Sequence, residues 1–351
     1  MNQAKKTVTL ADVARVAGIS KTTASHALSG KGWVSAATRE TVVRVASEMG
    51  FEVDPLARLL SNGRSEKTIG FFTLDIDLSS RTRQMQIIQA QLNDMGYSVP
   101  IYAYGYRGRD ALENQLELMN NLLAQRPRAI VCNTSGVRDE VLERLQKFVD
   151  EGGVAVCYGY SRSAPVRCDQ VIYAEGESHY LAARHLIELG HRDIGLFNVG
   201  YRKPAKPFLT EVQRALGEVG AQTREKWLFG NDGTRRYEED GARLGDEFLA
   251  LKSRPSAMIV ANDYAAVAFM ARVTRGGISI PENLSVVGHD DDAIAPFGVV
   301  ALTTISSSIE AVTVSVIELL NSRLLRDYSG EPRLVTVRGE LVVRDSTAAP
   351  R

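Results

Sequence analysis

The sequence predicts a small all-α helix-turn-helix headpiece followed by an α/β core of two doubly wound subdomains. Three observations predict it. Residues 9–49 carry apolar side chains at helical spacing with a capping residue before each run. From Thr68 onward, short apolar runs alternate with helical stretches, the mark of parallel sheets covered on both faces. Charge divides at the same place: residues 1–64 hold nine Lys/Arg and five Asp/Glu, so an overall balance of 42 to 42 conceals +4 on the head and −4 on the rest. A basic head on a mildly acidic body suits DNA binding, though four charges alone are a weak signal.

The head reads as three short helices. Thr9 caps the first, with Leu10, Val13, Ala14 and Ala17 on one face. Gly18 ends it and Ile19 plugs the turn. Ser20 caps a second helix, Lys21 to Leu28, with Ala24, Ala27 and Leu28 inward. Ser35 starts a third, roughly 36–49, with Val42, Val45, Ala46 and Met49 inward and Gly50 as its stop. The outward face of the second helix carries Lys21, Thr22, Ser25 and His26. In a helix-turn-helix that element enters the major groove, where Lys and His⁺ donate to guanine and Thr meets a thymine methyl. A three-helix domain with a merely solvated polar face is the alternative from these residues alone.

In the body, strands are predicted at 68–75, 98–104, 129–134, 154–160, 192–199, 226–230, 257–263 and 284–290, with helices such as 81–95, 110–125, 137–151, 176–190 and 237–253 between them. These elements exceed one compact sheet, so two subdomains facing across a ligand cleft are expected. No apolar stretch reaches the roughly 20 residues of a membrane helix, and the N-terminus lacks a signal-peptide core, so a cytoplasmic protein with no membrane partner is expected. Cys132, Cys157 and Cys168 have neither disulfide-framework nor zinc spacing. No nucleophile elbow, zinc-protease motif, phosphate loop or dinucleotide fingerprint occurs, and no cofactor or metal is called for. Asp290, Asp291 and Asp292 after a strand leave two readings open: an acid/base or metal cluster, or one cleft aspartate with structural neighbours.

Ordered motifs add to this. T-x-x-D-V-A-x-x-A-G-I-S at Thr9–Ser20, V-S-x-x-T-R at Val34–Arg39 and the Pro55-Leu56-Ala57-Arg58-Leu59-Leu60 segment make the N-terminus similar to the headpiece of the lactose-repressor (LacI/GalR) family of bacterial transcription factors. Residues 185–195, 260–266, 278–291, 302–305 and the tail 341–347 match signatures of that family's periplasmic-binding-protein-like core. The resemblance implies a headpiece at 1–53 and a hinge helix and linker at 54–68. A core at 69–347 follows, with an N-subdomain at 69–172 and 306–327 and a C-subdomain at 173–302 and 331–347. It implies a sequence-specific repressor, a homodimer on a palindromic double-stranded operator under a small-molecule effector, with no enzymatic activity.

Residue by residue, Lys21, Thr22 and His26 are the candidate base readers, and Lys5, Lys6, Ser20, Ser25, Lys31 and Thr38 the candidate phosphate contacts. Leu56, Ala57 and Leu60 form the minor-groove hinge, with Leu60 as the wedge between base steps. A hinge helix of about seven residues is marginal alone, so it should order on DNA. The candidate effector residues are Asp75, Tyr160, Phe208, Asn262, Asp263 and Asp290, with Tyr102, Tyr104, Tyr158 and Trp227 as further aromatic wall candidates and Arg81 as an anion partner. The pocket departs from the family pattern. The usual A-R-x-x-G segment places Phe208 at its arginine and Glu211 at its glycine, Tyr160 stands at an expected aspartate, and loop 75–83 lacks the N-P-F-F element. A sugar is thus the default effector by family analogy, not by residues. The recognition helix also departs: Thr23-Ala24-Ser25-His26 replaces T-V-S-R, so a different base preference is expected.

Overall fold

The structure is a computed structural model. It describes residues 8–29, 34–49, 51, 65–74, 79–105, 110–160, 164–198, 206–230, 236–326 and 328–351. The chain divides into two compact units, Met1–Ser65 and Glu66–Arg351.

In the first unit, α1 (Leu10–Val16), α2 (Lys21–Ser29) and α3 (Ala36–Glu48) start where the capping residues place them. Thr9 and Asp12 form a reciprocal capping box, each side chain accepting the other's backbone N–H. Gly18, at φ 68°, takes the left-handed conformation that ends α1, and the Ile19 N–H returns to the Ala14 carbonyl at 3.0 Å. Val13, Ala14, Ala24, Ala27, Val42, Val45 and Ala46 form the small core that fixes the three helices together.

The second unit is built from two six-stranded sheets. Its strands are β1 (Ser65–Leu74), β2 (Ile101–Tyr104), β3 (Pro127–Asn133), β4 (Val154–Tyr160), β5 (Asp169–Tyr173), β6 (Ile194–Asn198), β7 (Leu228–Gly230), β8 (Ala257–Val260), β9 (Ser285–Asp290), β10 (Thr303–Ser306), β11 (Leu334–Val337) and β12 (Glu340–Val342). Between them run α4 (Ser79–Asp94), α5 (Ala111–Ala124), α6 (Asp139–Asp150), α7 (Glu175–Glu188), α8 (Lys206–Gly217), α9 (Tyr237–Leu249), α10 (Asp263–Arg275) and α11 (Ile309–Leu324). The strand orders are β11-β5-β4-β3-β1-β2 and β12-β10-β9-β8-β6-β7. β12 runs antiparallel to β10, whereas β9 beside β10 and β5 beside β11 are parallel pairs.

Each sheet is buried on both faces, and the strand pleat decides which side chain goes where. On β1, Ile69 and Phe71 enter one core cluster while Phe72 and Leu74 enter the other. On β8, Met258 and Val260 face one side, Ala257 and Ile259 the other. Gly241 lets α9 approach α10 closely, because a Cβ there would overlap the Ala265 carbonyl.

Four strands, β5, β10, β11 and β12, lie outside the eight predicted runs. They are short, and all four border the crossings between the sheets. β11 was expected in the C-subdomain segment 331–347, but it pairs with β5 in the first sheet (Val335 with Val171), so that segment is shared between the lobes. The hinge residues 54–60 lie outside the described residues, as do Lys5, Lys6, Lys31 and Asp75.

Candidate functional site

The head presents one helix start. The Ser20 hydroxyl accepts the Thr23 N–H at 3.0 Å and shares a 2.7 Å hydrogen bond with the Thr23 hydroxyl, so it serves as the N-cap of α2. Lys21 and Thr22 are exposed on the first turn immediately after it, and Ser25 and His26 are half-buried one turn further on. Ser35 plays the equivalent part at α3, its hydroxyl accepting the Thr38 N–H at 3.2 Å and lying 2.7 Å from the Thr38 hydroxyl. Local sequence thus sets both the position of the exposed turn and the unpaired N–H groups around it.

In the second unit, Asn133, Tyr160 and Tyr173 end strands of the first sheet, and Asn198, Asp290 and Ser306 end strands of the second. The chain crosses between the sheets near 173–175, 306–309 and 337–340. These crossings are knitted together. The Tyr173 hydroxyl shares a hydrogen bond with Ser178 Oγ at 2.7 Å and donates to the Ser306 carbonyl at 3.3 Å, and Ser308 Oγ donates to the Arg338 carbonyl at 2.8 Å.

Asp290 is the centre of the second lobe's polar cluster. Asn262 caps α10 with Oδ1 on the Ala265 N–H and donates from Nδ2 to Asp290 Oδ2 at 3.0 Å. His289 Nδ1 meets Asp290 Oδ1 at 3.2 Å. Asp290 has φ 108° and Asp291 φ 51°, left-handed conformations that a non-glycine residue holds only under constraint. Burial works against the charged form of His289, but the hydrogen bond and charge of Asp290, with Glu175 and Asp263, raise its pKa overall.

Several predicted site residues are placed elsewhere. Asp263 is fully buried: Oδ1 accepts the Thr304 hydroxyl at 2.7 Å and Oδ2 the Asp292 N–H at 2.8 Å, so it braces the end of β9 instead of meeting a ligand. Burial and the charge of Asp290 push its carboxyl up to about 8. Phe208 is also core, because Phe208, Val212, Ala215 and Leu216 share the buried face of α8. Its ring lies 4.1 Å from that of His179. Trp227 is fully buried with Nε1 donating to the Ser253 carbonyl, and Tyr104 is buried with its hydroxyl donating to the Asn133 and Ser135 carbonyls. Tyr102 is half-buried, and the side chain of Tyr160 lies outside the described residues. The aspartate triplet separates as well: Asp291 pairs with Arg344 at 2.6 Å, and Asp292 Oδ1 accepts the Ala293 N–H. Among the described residues no group of three or more His, Cys, Asp or Glu is arranged to hold a metal ion.

A cavity opens beside the crossings, lined by Arg81, Gln84, Asn133, Tyr158, Gly159, Tyr173 and Ser307, with Ile309 and Val312 as its apolar wall. Burial pushes the Tyr158 hydroxyl up to about 12, while hydrogen bonds from Thr73 and Asn133 and the charge of Arg81 pull the other way. Of these residues the sequence had marked Tyr158 and Arg81. Tyr173, Gln84, Asn133 and Ser307 carried no signal of their own, since only the meeting of distant strand ends brings them together. His185 and His191, in contrast, hold the tail: His185 Nε2 lies 2.9 Å from the Thr347 hydroxyl and His191 Nε2 2.8 Å from the Ala348 carbonyl.

A capped helix-turn-helix and a two-sheet core with a polar cleft define a DNA-binding regulatory protein with a ligand-binding body. Residues 9–54 match the lacI family of bacterial regulatory proteins, and residues 183–347 match the periplasmic binding protein-like domain. The chain thus carries a lacI-family helix-turn-helix domain followed by a periplasmic-binding-protein-like domain. It is 28% identical over 340 residues to the HTH-type transcriptional repressor PurR of Vibrio parahaemolyticus serotype O3:K6 (strain RIMD 2210633), covering 96% of this chain and 98% of that protein. It is 26% identical over 341 residues to the NTD biosynthesis operon regulator NtdR of Bacillus subtilis (strain 168), covering 97% and 99%. The crystal structure of the lac repressor dimer bound to operator and the anti-inducer ONPF superposes with a TM-score of 0.70 at 25% identity, covering 98% of this chain and all of that one. Among the described residues no helix is long and apolar enough to cross a membrane.

Proposed function

We propose that this protein is a cytoplasmic homodimeric repressor. It reads a palindromic operator with Lys21, Thr22 and His26, under the control of a small molecule bound between the lobes of its core. The observation that carries this reading is the exposed first turn of α2, set by the Ser20 cap directly after the Gly18 turn. In a helix-turn-helix that turn supplies the base contacts, and its uncompensated N–H groups favour phosphate. Ser25 and Thr38, with Lys5, Lys6 and Lys31, are assigned to phosphates, and Leu56, Ala57 and Leu60 to the minor groove. Residues 1–53 are the reading head, 54–68 the coupling segment and 69–347 the effector and dimerisation core.

Two features of the core support the rest. Phe297 and Val299 are almost wholly exposed on the loop after β9, an apolar pair suited to a second copy of the chain. Asp290, held by Asn262 and His289, keeps part of its carboxylate exposed in the cleft and can accept from a ligand hydroxyl or amine. Asp263, Asp291 and Asp292 all serve the loop around it, which favours binding over catalysis. Ligand-driven rotation of the lobes, worth about 1–3 kcal/mol of coupling, would change operator affinity.

Selection from random duplexes tests the reading. The expected product is a palindrome whose binding weakens steeply with salt. Recovery of no palindrome, or binding indifferent to salt, overturns it.

A further inference from the structure

His289 is buried where the two sheets meet. Its Nδ1 lies 3.2 Å from Asp290 Oδ1 on its own strand, and its Nε2 lies 3.4 Å from the Tyr173 hydroxyl on β5 of the other sheet. That hydroxyl also reaches Ser178 Oγ on α7 at 2.7 Å and the Ser306 carbonyl at the end of β10 at 3.3 Å. One imidazole therefore joins the Asp290 cluster to two of the three crossings. The titratable groups facing it are Asp290 on β9, Tyr173 on β5, Glu175 and His179 on α7 and Asp263 on α10. Glu177, further along α7, is committed to Arg338, and the neighbouring strands β8 and β10 carry no charged residue. Burial works against the charged form of His289, but the hydrogen bond and charge of Asp290, with Glu175 and Asp263, raise its pKa. The adjacent His179 goes the other way: burial and the charge of His289 keep it well below the usual histidine range.

We propose that His289 is a proton-operated latch between the lobes: the doubly protonated imidazole completes the junction through Tyr173, and loss of one proton takes one hydrogen bond out of it. The number of available protons gives the reason. In the cation, Nδ1–H donates to Asp290 and Nε2–H to the Tyr173 oxygen, which leaves the phenol proton for the Ser306 carbonyl. The neutral imidazole keeps Nδ1–H on the carboxylate, because the other tautomer sets a lone pair against Asp290 Oδ1. Nε2 then has to accept, and the single phenol proton cannot serve both Nε2 and the Ser306 carbonyl. Either the link from β5 to β9 or the link from β5 to β10 is lost. Histidine changes charge near neutral pH, so a latch built on it answers to modest changes in acidity. Acid tightens the crossings and alkali loosens them.

Hydrogen exchange of the full chain at pH 6, 7 and 8, corrected for the intrinsic pH dependence of exchange, tests this. It uses neither DNA nor ligand, so a failure here leaves the operator-reading function standing. One reporter is the Ala174 N–H, bonded to the Val337 carbonyl at 2.8 Å, and another is the Ser308 N–H, bonded to Ser306 Oγ at 3.2 Å. Both are referred to peptides from the buried strand β3. Protection at the crossings should fall by about two- to tenfold from pH 6 to 8, as expected for one hydrogen bond. The fall should share its midpoint with the His289 signal in an NMR titration of histidine-labelled protein. His289→Gln should abolish it. Tyr173→Phe keeps the imidazole and its carboxylates, so His289 should still titrate while the crossings no longer respond. That variant remains informative if the glutamine variant fails to fold. Asp263, whose carboxyl is pushed up to about 8, titrates in the wild type and in Tyr173→Phe alike and cancels in their comparison. Protection that is constant with pH in the wild type, that falls with a different midpoint from His289, or that falls equally in either variant overturns the proposal.

Discussion

The Tyr173 hydroxyl, at the end of β5 in the first sheet, lies 3.4 Å from Nε2 of His289 on β9 of the second. Because the same hydroxyl also engages Ser178 and the Ser306 carbonyl, one phenol ties together the crossings that any lobe motion must bend. Gly339, on the third crossing, has no room for a side chain, since a Cβ there would overlap both Tyr173 and Ser178. Tyr173→Phe removes all three links while keeping the ring. We expect a loss of about 1–3 kcal/mol in urea denaturation. An unchanged midpoint would show that the hydroxyl does not hold the crossings.

Asp263 and Asp290 are electrostatically coupled. The Asp263 carboxyl is pushed up to about 8 by burial and then by the charge of Asp290. A carboxyl raised above its unfolded value of 3.8 contributes stability that is complete below that pH and lost as pH rises toward 8. Asp290→Asn removes the second cause. Carbon-detected titration of the Asp263 side chain should then report a lower pKa, and the fall in stability between pH 5 and 8 should become shallower. A pKa at Asp263 unmoved by the substitution would contradict the coupling.

His179 is almost fully buried beside Phe208 and His289, and neither ring nitrogen has a hydrogen-bond partner. Burial, with the nearby His289, holds its pKa well below 6.5, and burial likewise lowers His185 and His191. For these three, stability is complete above pH 6.5 and falls below it, where the unfolded chain takes up protons that the fold refuses. His289, whose pKa is raised, acts in the opposite sense: its contribution is complete below 6.5 and lost as pH rises. His179→Leu should therefore gain on the wild type in acid, by about 1.4 kcal/mol per pH unit below 6.5. Denaturant midpoints at pH 5, 6 and 7 check this, and a constant difference across them would refute it.

Asp169 is buried between two arginines. Arg323 contacts both carboxylate oxygens at 2.9 Å, and Arg333 adds its side chain and backbone N–H. Burial opposes the charge, but these hydrogen bonds outweigh it and lower the pKa to about 2. The contribution is present above the unfolded value of 3.8 and lost as pH falls through about 2. Asp169→Asn leaves the arginines inadequately compensated where α11, β5 and β11 meet, and should cost about 3–5 kcal/mol at pH 7. A loss below 1 kcal/mol would place the network among ordinary surface pairs.

For the head, Lys21→Ala should weaken operator binding by about 1–3 kcal/mol if it reads a base, and relax preference at one position only. A uniform loss across all sequences, with a salt slope reduced by about one, would reassign it to phosphate. Filter binding at several salt concentrations distinguishes the two outcomes.

The head was legible in the sequence almost to the residue. Thr9, Gly18, Ser20 and Ser35 act on backbone groups within five positions, and a short helix has a single apolar face to bury. The body's parallel strands were legible as apolar runs for the related reason that both faces are covered. Phe208 and Trp227 were misassigned because an aromatic residue near a strand end reads the same whether it faces a cleft or a core. The buried face of α8 decided the matter for Phe208, and the core cluster beside the start of β7 decided it for Trp227.

By itself, then, the sequence determined the head, the alternation of the body, the placing of Asp290 at a strand end and the family resemblance. All of these depend on local spacing or on ordered motifs. Only the tertiary structure decided that Asp263 turns inward, that β11 joins the first sheet and that Tyr173 reaches His289, 116 positions away. Such contacts follow from which strands become neighbours. That choice minimises exposed apolar surface over the whole core, and no short stretch of sequence records it.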